Sequence, residues 1–477
     1  MLSGPERDPP PLVPEAGAEI AAEAMLPDET PPSLSRPGSG VWRLAWPTIT
    51  ANLLNSSVGL VNIKIVGSLG ASAVAAVTTG QRIFFVLQAV LMGFTAGTTA
   101  LVARAWGAGD RAEAAQLTRA STLAGAGLAG VLSLPGIFGA EALAGLFRLD
   151  AATLALAAGF IRWTSVFNVG FAVFFVLATA LRAAGDVRVP LALGAFANAV
   201  NVGLVYALVH GHAGLPALGV VGAALAGGLA FTVTAALALA LYAGGRLAVG
   251  AGERGSLTRA RLRGLLRIGW PAALEQAAFQ GGFILFLWIV SMYGTAPYAA
   301  YGIGVTILSF SFVVGFGFQV AAATLVGQRL GSGDRAGAFA SGWRAMRLSV
   351  AAMALLGGAI VLAARPMARF MIDDPEVVRL TVVFIYILGA VQPLMAVEYA
   401  LGGGLRGAGD TRFPFITVLA GLLGVRCLLA ALFAWLGLRV EWIFAALIGD
   451  YVVKASMLAW RFRSGRWQRI EVGLGAR

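Results

Sequence analysis

Twelve runs of about 20 or more mostly apolar residues fill this 477-residue chain, and runs of that length read as membrane-spanning helices. They lie near 43–66, 72–103, 118–143, 153–181, 189–210, 215–242, 267–293, 297–327, 343–364, 377–404, 413–436 and 442–462, separated by charged or Gly/Pro breaks. The second and eighth are long enough to tilt or bend. Only 12% of residues are charged, against roughly 25% in a soluble domain. The expected fold class is therefore all-α: a polytopic membrane protein of 12 transmembrane helices. The single cysteine, Cys427, excludes an intrachain disulfide framework. Two histidines, His210 and His212, leave a zinc or His-based catalytic centre short of ligands. No cofactor, no metal and no enzymatic activity are expected.

Charge sets the orientation. The loop 243–266 carries Arg246, Arg254, Arg259, Arg261 and Arg263 against Glu253, and the loops near 104–119 and 329–347 are also arginine-rich. Connections after odd-numbered helices are poor in charge or mixed, as in Asp373-Asp374-Pro375-Glu376. The positive-inside rule places both termini and the even-numbered loops in the cytoplasm. The net charge of +12 then reads as topology and contact with anionic lipid rather than as a nucleic-acid footprint. Residues 1–40 differ from the rest. They hold nine of the 19 prolines and a net charge of −5, and read as a disordered acidic tail.

The chain is duplicated in one ungapped register of 224 residues. Trp46-Pro47 recurs as Trp270-Pro271, and Gly107-Ala108-Gly109-Asp110-Arg111-Ala112 as Gly331-Ser332-Gly333-Asp334-Arg335-Ala336. Leu181-Arg182-Ala183-Ala184-Gly185-Asp186 recurs as Leu405-Arg406-Gly407-Ala408-Gly409-Asp410. Each half holds six spans, so both enter the membrane in the same sense, related by a pseudo-two-fold axis along the membrane normal. Such repeats mark alternating-access transporters. The expected organisation is an N-terminal lobe 41–242, a basic linker 243–266, a C-terminal lobe 267–462 and a basic tail 463–477. The Gly-Asp loops read as tight turns with aspartate helix caps, and no Walker-type phosphate loop occurs.

The segment from Leu44-Ala45-Trp46-Pro47 to Val66-Gly67-Ser68-Leu69-Gly70, together with the Gly-Asp-Arg and Leu-Arg-x-x-Gly-Asp motifs and their copies, resembles the MATE multidrug and toxic-compound extruders over about 41–467. The style is similar to the DinF-like bacterial branch. The resemblance implies an antiporter driven by H⁺ or Na⁺ that exports organic, mostly cationic amphipathic compounds through a cavity between two six-helix lobes. One position departs from it. Family first helices commonly carry an aspartate in a Val-Asp-Thr-like segment, and here that segment reads Val61-Asn62-Ile63-Lys64. Asn62 cannot exchange a proton, and Lys64, about 200° further round the helix, points to another face.

Ionisable groups inside spans are functional candidates by default. Glu275, in Pro271-Ala272-Ala273-Leu274-Glu275-Gln276, leads as the coupling carboxylate, with Glu398 second; a glutamate in this part of the seventh helix is also what the resemblance implies. Carboxyls in apolar surroundings exchange protons closer to neutrality. Asp450 and Lys454, four apart on the last helix, can pair with each other; Arg82, Arg162 and Arg426 have no evident partner. Asn52, Asn55 and Asn62 share one face of the first helix, Gln81 and Phe84 one face of the second, and Asn198 and Asn201 one face of the fifth. Those faces read equally as a hydrated cavity wall or as interhelical hydrogen bonding. Gln276, Phe279 and Gln280 surround Glu275 and suit a lipophilic cation. The partners expected are a small organic substrate and the lipid bilayer, with no nucleic acid, and the protein is expected to be a monomer. The alternative reading is a flippase for lipid or lipid-linked oligosaccharide, which would need a wide basic cavity.

Overall fold

A computed structural model describes residues 39–212, 214–251, 256–470 and 472, so the acidic tail lies almost wholly outside the described residues. Every expected span is a helix. In the first half these are α1 (Ser39–Gly67), α2 (Ala71–Gly107), α3 (Arg111–Phe138), α4 (Ala151–Val166 and Asn168–Ala183, bent by 48°), α5 (Arg188–His210) and α6 (Gly219–Ala243). In the second half they are α7 (Arg259–Ser291), α8 (Thr295–Gly331), α9 (Arg335–Leu362), α10 (Pro375–Gly407), α11 (Arg412–Trp435, π-helical over Leu419–Cys427) and α12 (Val440–Arg463). No strand occurs among the described residues.

Several helices outrun the apolar windows at the arginine-rich end. The seventh begins at Arg259 instead of 267, where Thr258 accepts a hydrogen bond from the Arg261 N–H. Arginine is a good helix former, so hydropathy marks where a helix leaves the membrane and not where it stops. The linker 243–266 is shortened accordingly. The basic tail is also not plain coil: a 3₁₀ turn at Arg466–Arg469 drives Trp467 to full burial, stacked on Phe462 at 4.5 Å.

The Gly-Asp loops behave as turns. Gly109 and Gly333 take φ of 76° and 78°, and Gly185 and Gly409 take 92° and 89°, left-handed conformations that favour glycine. The following aspartates cap the next helices: Asp110 accepts from the Glu113 N–H at 2.8 Å and Asp334 from the Gly337 N–H at 2.7 Å. Asp186 and Asp410 do the same for Val189 and Phe413.

The 224-residue offset in sequence is also an operator in space. A Cβ on Gly107 would overlap the Gln328 carbonyl, and a Cβ on its copy Gly331 would overlap the carbonyl of Arg104, the copy of Gln328. Arg104 donates to the Ala408 carbonyl at 3.0 Å, and Gln328 to the Ala183 carbonyl at 2.9 Å. Deeper in the membrane, Gly93 on α2 meets Ala273 on α7, and Gly317 on α8 meets Ile49 on α1. Each glycine contact therefore occurs twice, with the lobes exchanged, while the acceptors of the Arg104 and Gln328 hydrogen bonds are one residue out of that register. Small residues let the backbones approach closely where no hydrophobic force favours helix over lipid. These contacts, with the Arg261–Glu113 ion pair at 2.7 Å, close the lobes together at the arginine-rich end.

Gly107→Val is expected to hold the lobes apart there. Spin labels at the exposed, copy-related positions Ala112 and Ala336, in protein with Cys427 replaced by serine, should give longer distances by pulsed dipolar spectroscopy. An unchanged distribution would show that the glycine contact does not set the closed spacing.

Candidate functional site

A cavity of about 790 Å³ lies between the lobes. Its floor is the closed end just described, where the Thr324 hydroxyl of α8 donates to the Arg182 carbonyl of α4 at 3.1 Å. Its walls come from α1, α2, α4, α5 and α6 on one side and from α7, α8, α10, α11 and α12 on the other.

Both candidate carboxylates line it, and both belong to the C-terminal lobe. Glu275 is 8% exposed and is gripped two-pronged by Arg406, whose Nη2 and Nε donate to Oε1 and Oε2. This fork geometry is the strong form of a carboxylate contact. Glu398 lies on the same helix as Arg406, and its Oε1 is 3.3 Å from the Lys454 Nζ. Lys454 is in turn 3.3 Å from Asp450 Oδ1, and Asp450 Oδ2 is 2.5 Å from Arg426 Nη2. The expected Asp450–Lys454 pair is therefore present within a longer chain of charges. Asp450 and Lys454 are fully buried, and Arg426 is 5% exposed. Three carboxylates face three bases, so the C-terminal lobe holds a formally neutral network. Single buried charges would be far costlier than this. The π-helical turn in α11 brings Arg426 to its partner and lets Gly421 pack against Asp450 and Lys454; π-helical segments recur at functional sites.

Among the described residues, the N-terminal lobe contributes amides and aromatics but no carboxylate to the cavity lining. Asn62 Nδ2 donates to Asn201 Oδ1, and Asn198 Nδ2 to Asn55 Oδ1, each at 2.9 Å. The two readings of these residues hold together, since α1 and α5 are joined by amide pairs that also face the cavity. Asn52, Gln81, Phe84, Gln276 and Phe279 line it too. Gln280 does not: one residue beyond Phe279, it turns about 100° away on the helix. Lys64 is exposed at the end of α1 and absent from the lining, as its position relative to Asn62 requires. Arg162 pairs with Glu141 at 3.7 Å, and Arg82 is exposed.

The sequence reading missed Arg406, Arg182, Gln319, Tyr399 and Tyr451, all of which line the cavity. Arg406 ends an apolar run and so reads as part of the cytoplasmic turn. Helical side chains lean toward the helix N-terminus, which carries its guanidinium back into the membrane. The available signal was the repeat itself, because Arg182 and Arg406 are copies at the ends of α4 and α10.

The comparisons with known proteins agree with this architecture. The MatE family profile matches residues 47–207 and 271–432, two segments that begin 224 residues apart. A protein of Burkholderia vietnamiensis named multidrug resistance protein NorM is 30% identical over 451 residues, covering 91% of this chain and 95% of that one. A Thermotoga maritima protein named probable multidrug resistance protein NorM is 29% identical over 453 residues, covering 93% and 95%. Among solved structures, a point mutant of the Vibrio cholerae MATE transporter VcmN superposes with a TM-score of 0.83 at 20% identity, covering 90% of this chain and 98% of that one. A family profile spanning most of the chain, with relatives that align almost end to end, places this membrane transporter in the MatE family.

Proposed function

We propose that the protein is a secondary active exporter of organic compounds, a multidrug efflux transporter working by H⁺- or Na⁺-coupled antiport. The observation that carries this is a cavity between two lobes, shut at the arginine-rich end and holding two carboxylates, Glu275 and Glu398, each clasped by a base. The names of the relatives support the drug-exporter reading and do not favour the flippase alternative. In this reading the arginine-rich end faces the cytoplasm of the bacterial inner membrane, both termini lie on that side, and the described state opens outward. The protein acts as a monomer in the bilayer and needs no cofactor beyond the coupling ion.

Coupling is a competition at Glu275. An entering proton or Na⁺ removes or occupies the charge that Arg406 holds, and the freed arginine disfavours a cationic group bound nearby. Substrate leaves outward. The lobes then rock about the paired contacts to expose the cavity to the cytoplasm, where the carboxylate re-ionises and reloads. Glu398 serves as the second carboxylate through Lys454 and Asp450. With Asn62 in the first helix, all proton- or cation-exchanging groups of the cavity belong to the C-terminal lobe.

The test is ethidium efflux from proteoliposomes under an imposed proton or sodium gradient. Efflux driven by either gradient and abolished by its collapse is expected. Efflux that ignores both gradients would rule out secondary antiport.

A further inference from the structure

The two copy-related arginines have different fates. Arg406 is neutralised by Glu275. The residue 224 positions before Glu275 is Ala51, which also lines the cavity. Arg182, the copy of Arg406, thus has no acid where its counterpart has one. Its Nη2 donates to the Thr179 hydroxyl at 2.9 Å, and no ion pair to it occurs among the described residues. It is partly exposed to the cavity. With the C-terminal network neutral, the cavity carries one uncompensated positive charge among the described residues, on the N-terminal lobe.

What leads to that charge is aromatic. Phe171, Phe175, Thr179 and Arg182 follow each other along α4 at spacings of four, four and three, so they share one face, and Phe167 precedes them at the bend. All line the cavity. Phe171 and Phe175 stack at 5.6 Å and 15°, and Phe231 meets Phe171 edge-on at 5.1 Å. The other lobe has no such ladder: the copies of Phe171 and Phe175 are Met395, fully buried, and Tyr399.

We infer that Arg182 is an anion subsite, which receives the carboxylate or sulfonate of an aromatic amphiphile whose rings lie along the α4 phenylalanines. This deepens the exporter reading and rests on it. A guanidinium with free donors is the preferred partner for a planar oxyanion, and partial desolvation strengthens the contact. Zwitterionic substrates gain most, because their cationic end can still approach the carboxylates of the opposite lobe.

The test uses one chromophore with and without its carboxylate: rhodamine B and rhodamine B ethyl ester. Both are titrated against the full-length protein in detergent by fluorescence polarisation, and the quantity read is the ratio of the ester's Kd to that of rhodamine B. A charge-assisted hydrogen-bonded pair should make this ratio about tenfold or more in the wild type. It should fall to about one in Arg182→Gln and recover in part in Arg182→Lys. Ala51→Glu keeps Arg182 but supplies the acid that its copy already has, so it should also abolish the preference. That variant decides the question if Arg182→Gln does not fold. A wild-type ratio near one with tight ester binding overturns the anion subsite and leaves the exporter reading standing. Binding of neither dye overturns both. A ratio that survives in Arg182→Gln, or in Ala51→Glu where Arg182→Gln does not fold, assigns the carboxylate to another group.

Discussion

Asp450→Ala is expected to be the most damaging single substitution for stability, costing about 3–5 kcal/mol. Asp450 is completely buried and, among the described residues, is the one carboxylate in contact with both Arg426 and Lys454. Removing it leaves Glu398 as the only acid for two bases in the membrane interior. It also opens space beside Gly421, which packs directly on the Asp450 carboxylate. The lone cysteine makes the measurement direct. Cys427 is 4% exposed and immediately follows Arg426 in the π-helical segment, so a thiol-reactive fluorogen reports unfolding of that region during a thermal ramp. The melting temperature should fall sharply. Adding Arg426→Met to Asp450→Ala should recover part of the loss, because it removes one orphaned charge and fills the space with an apolar chain. A single mutant that melts with the wild type would mean the network is solvated and its charges are not mutually dependent.

The largest functional effect is expected from Glu275→Gln. The carboxamide matches the carboxylate in shape and can still accept a hydrogen bond from Arg406, so the fold should tolerate it. What it cannot do is change charge. Gradient-driven ethidium efflux should fall to the rate seen without a gradient, while dye binding to the purified protein persists. Glu398→Gln should weaken the gradient response less, since its charge is shared through Lys454 with Asp450. If Glu275→Gln answers the gradient as the wild type does, coupling does not pass through the seventh helix, and Glu398 becomes the leading carboxylate.

Much of this architecture is legible in the sequence, because the properties that define it are local or periodic. Span length, arginine-rich turns and a fixed offset between copies all survive in one dimension. The same holds for Asn55, Asn62, Asn198 and Asn201, whose shared faces follow from helical spacing alone. The ion pairs are different. Glu275 and Arg406 are 131 residues apart, and nothing in either neighbourhood names the other. Hydropathy also misplaces Arg406, because a charge at the end of an apolar run looks like the start of a loop whether its side chain turns outward or back into the membrane. The unpaired state of Arg182 is less legible still, since it follows from what Ala51 lacks.

The paired contacts at the closed end carry a consequence for how such a chain can arise and how it can be divided. Gly107 against Gln328 and Gly331 against Arg104 form an isologous joint, in which each half presents the same surface to the other. Six helices bearing one copy of that surface already have what a homodimer needs, and the even span count keeps two such subunits oriented alike. Covalent fusion then adds no contact to the joint. It fixes stoichiometry, raises the effective concentration of one half around the other, and frees the two copies to diverge. The acid at position 275 and the alanine at position 51 are such a divergence, which a symmetric dimer of identical halves could never hold.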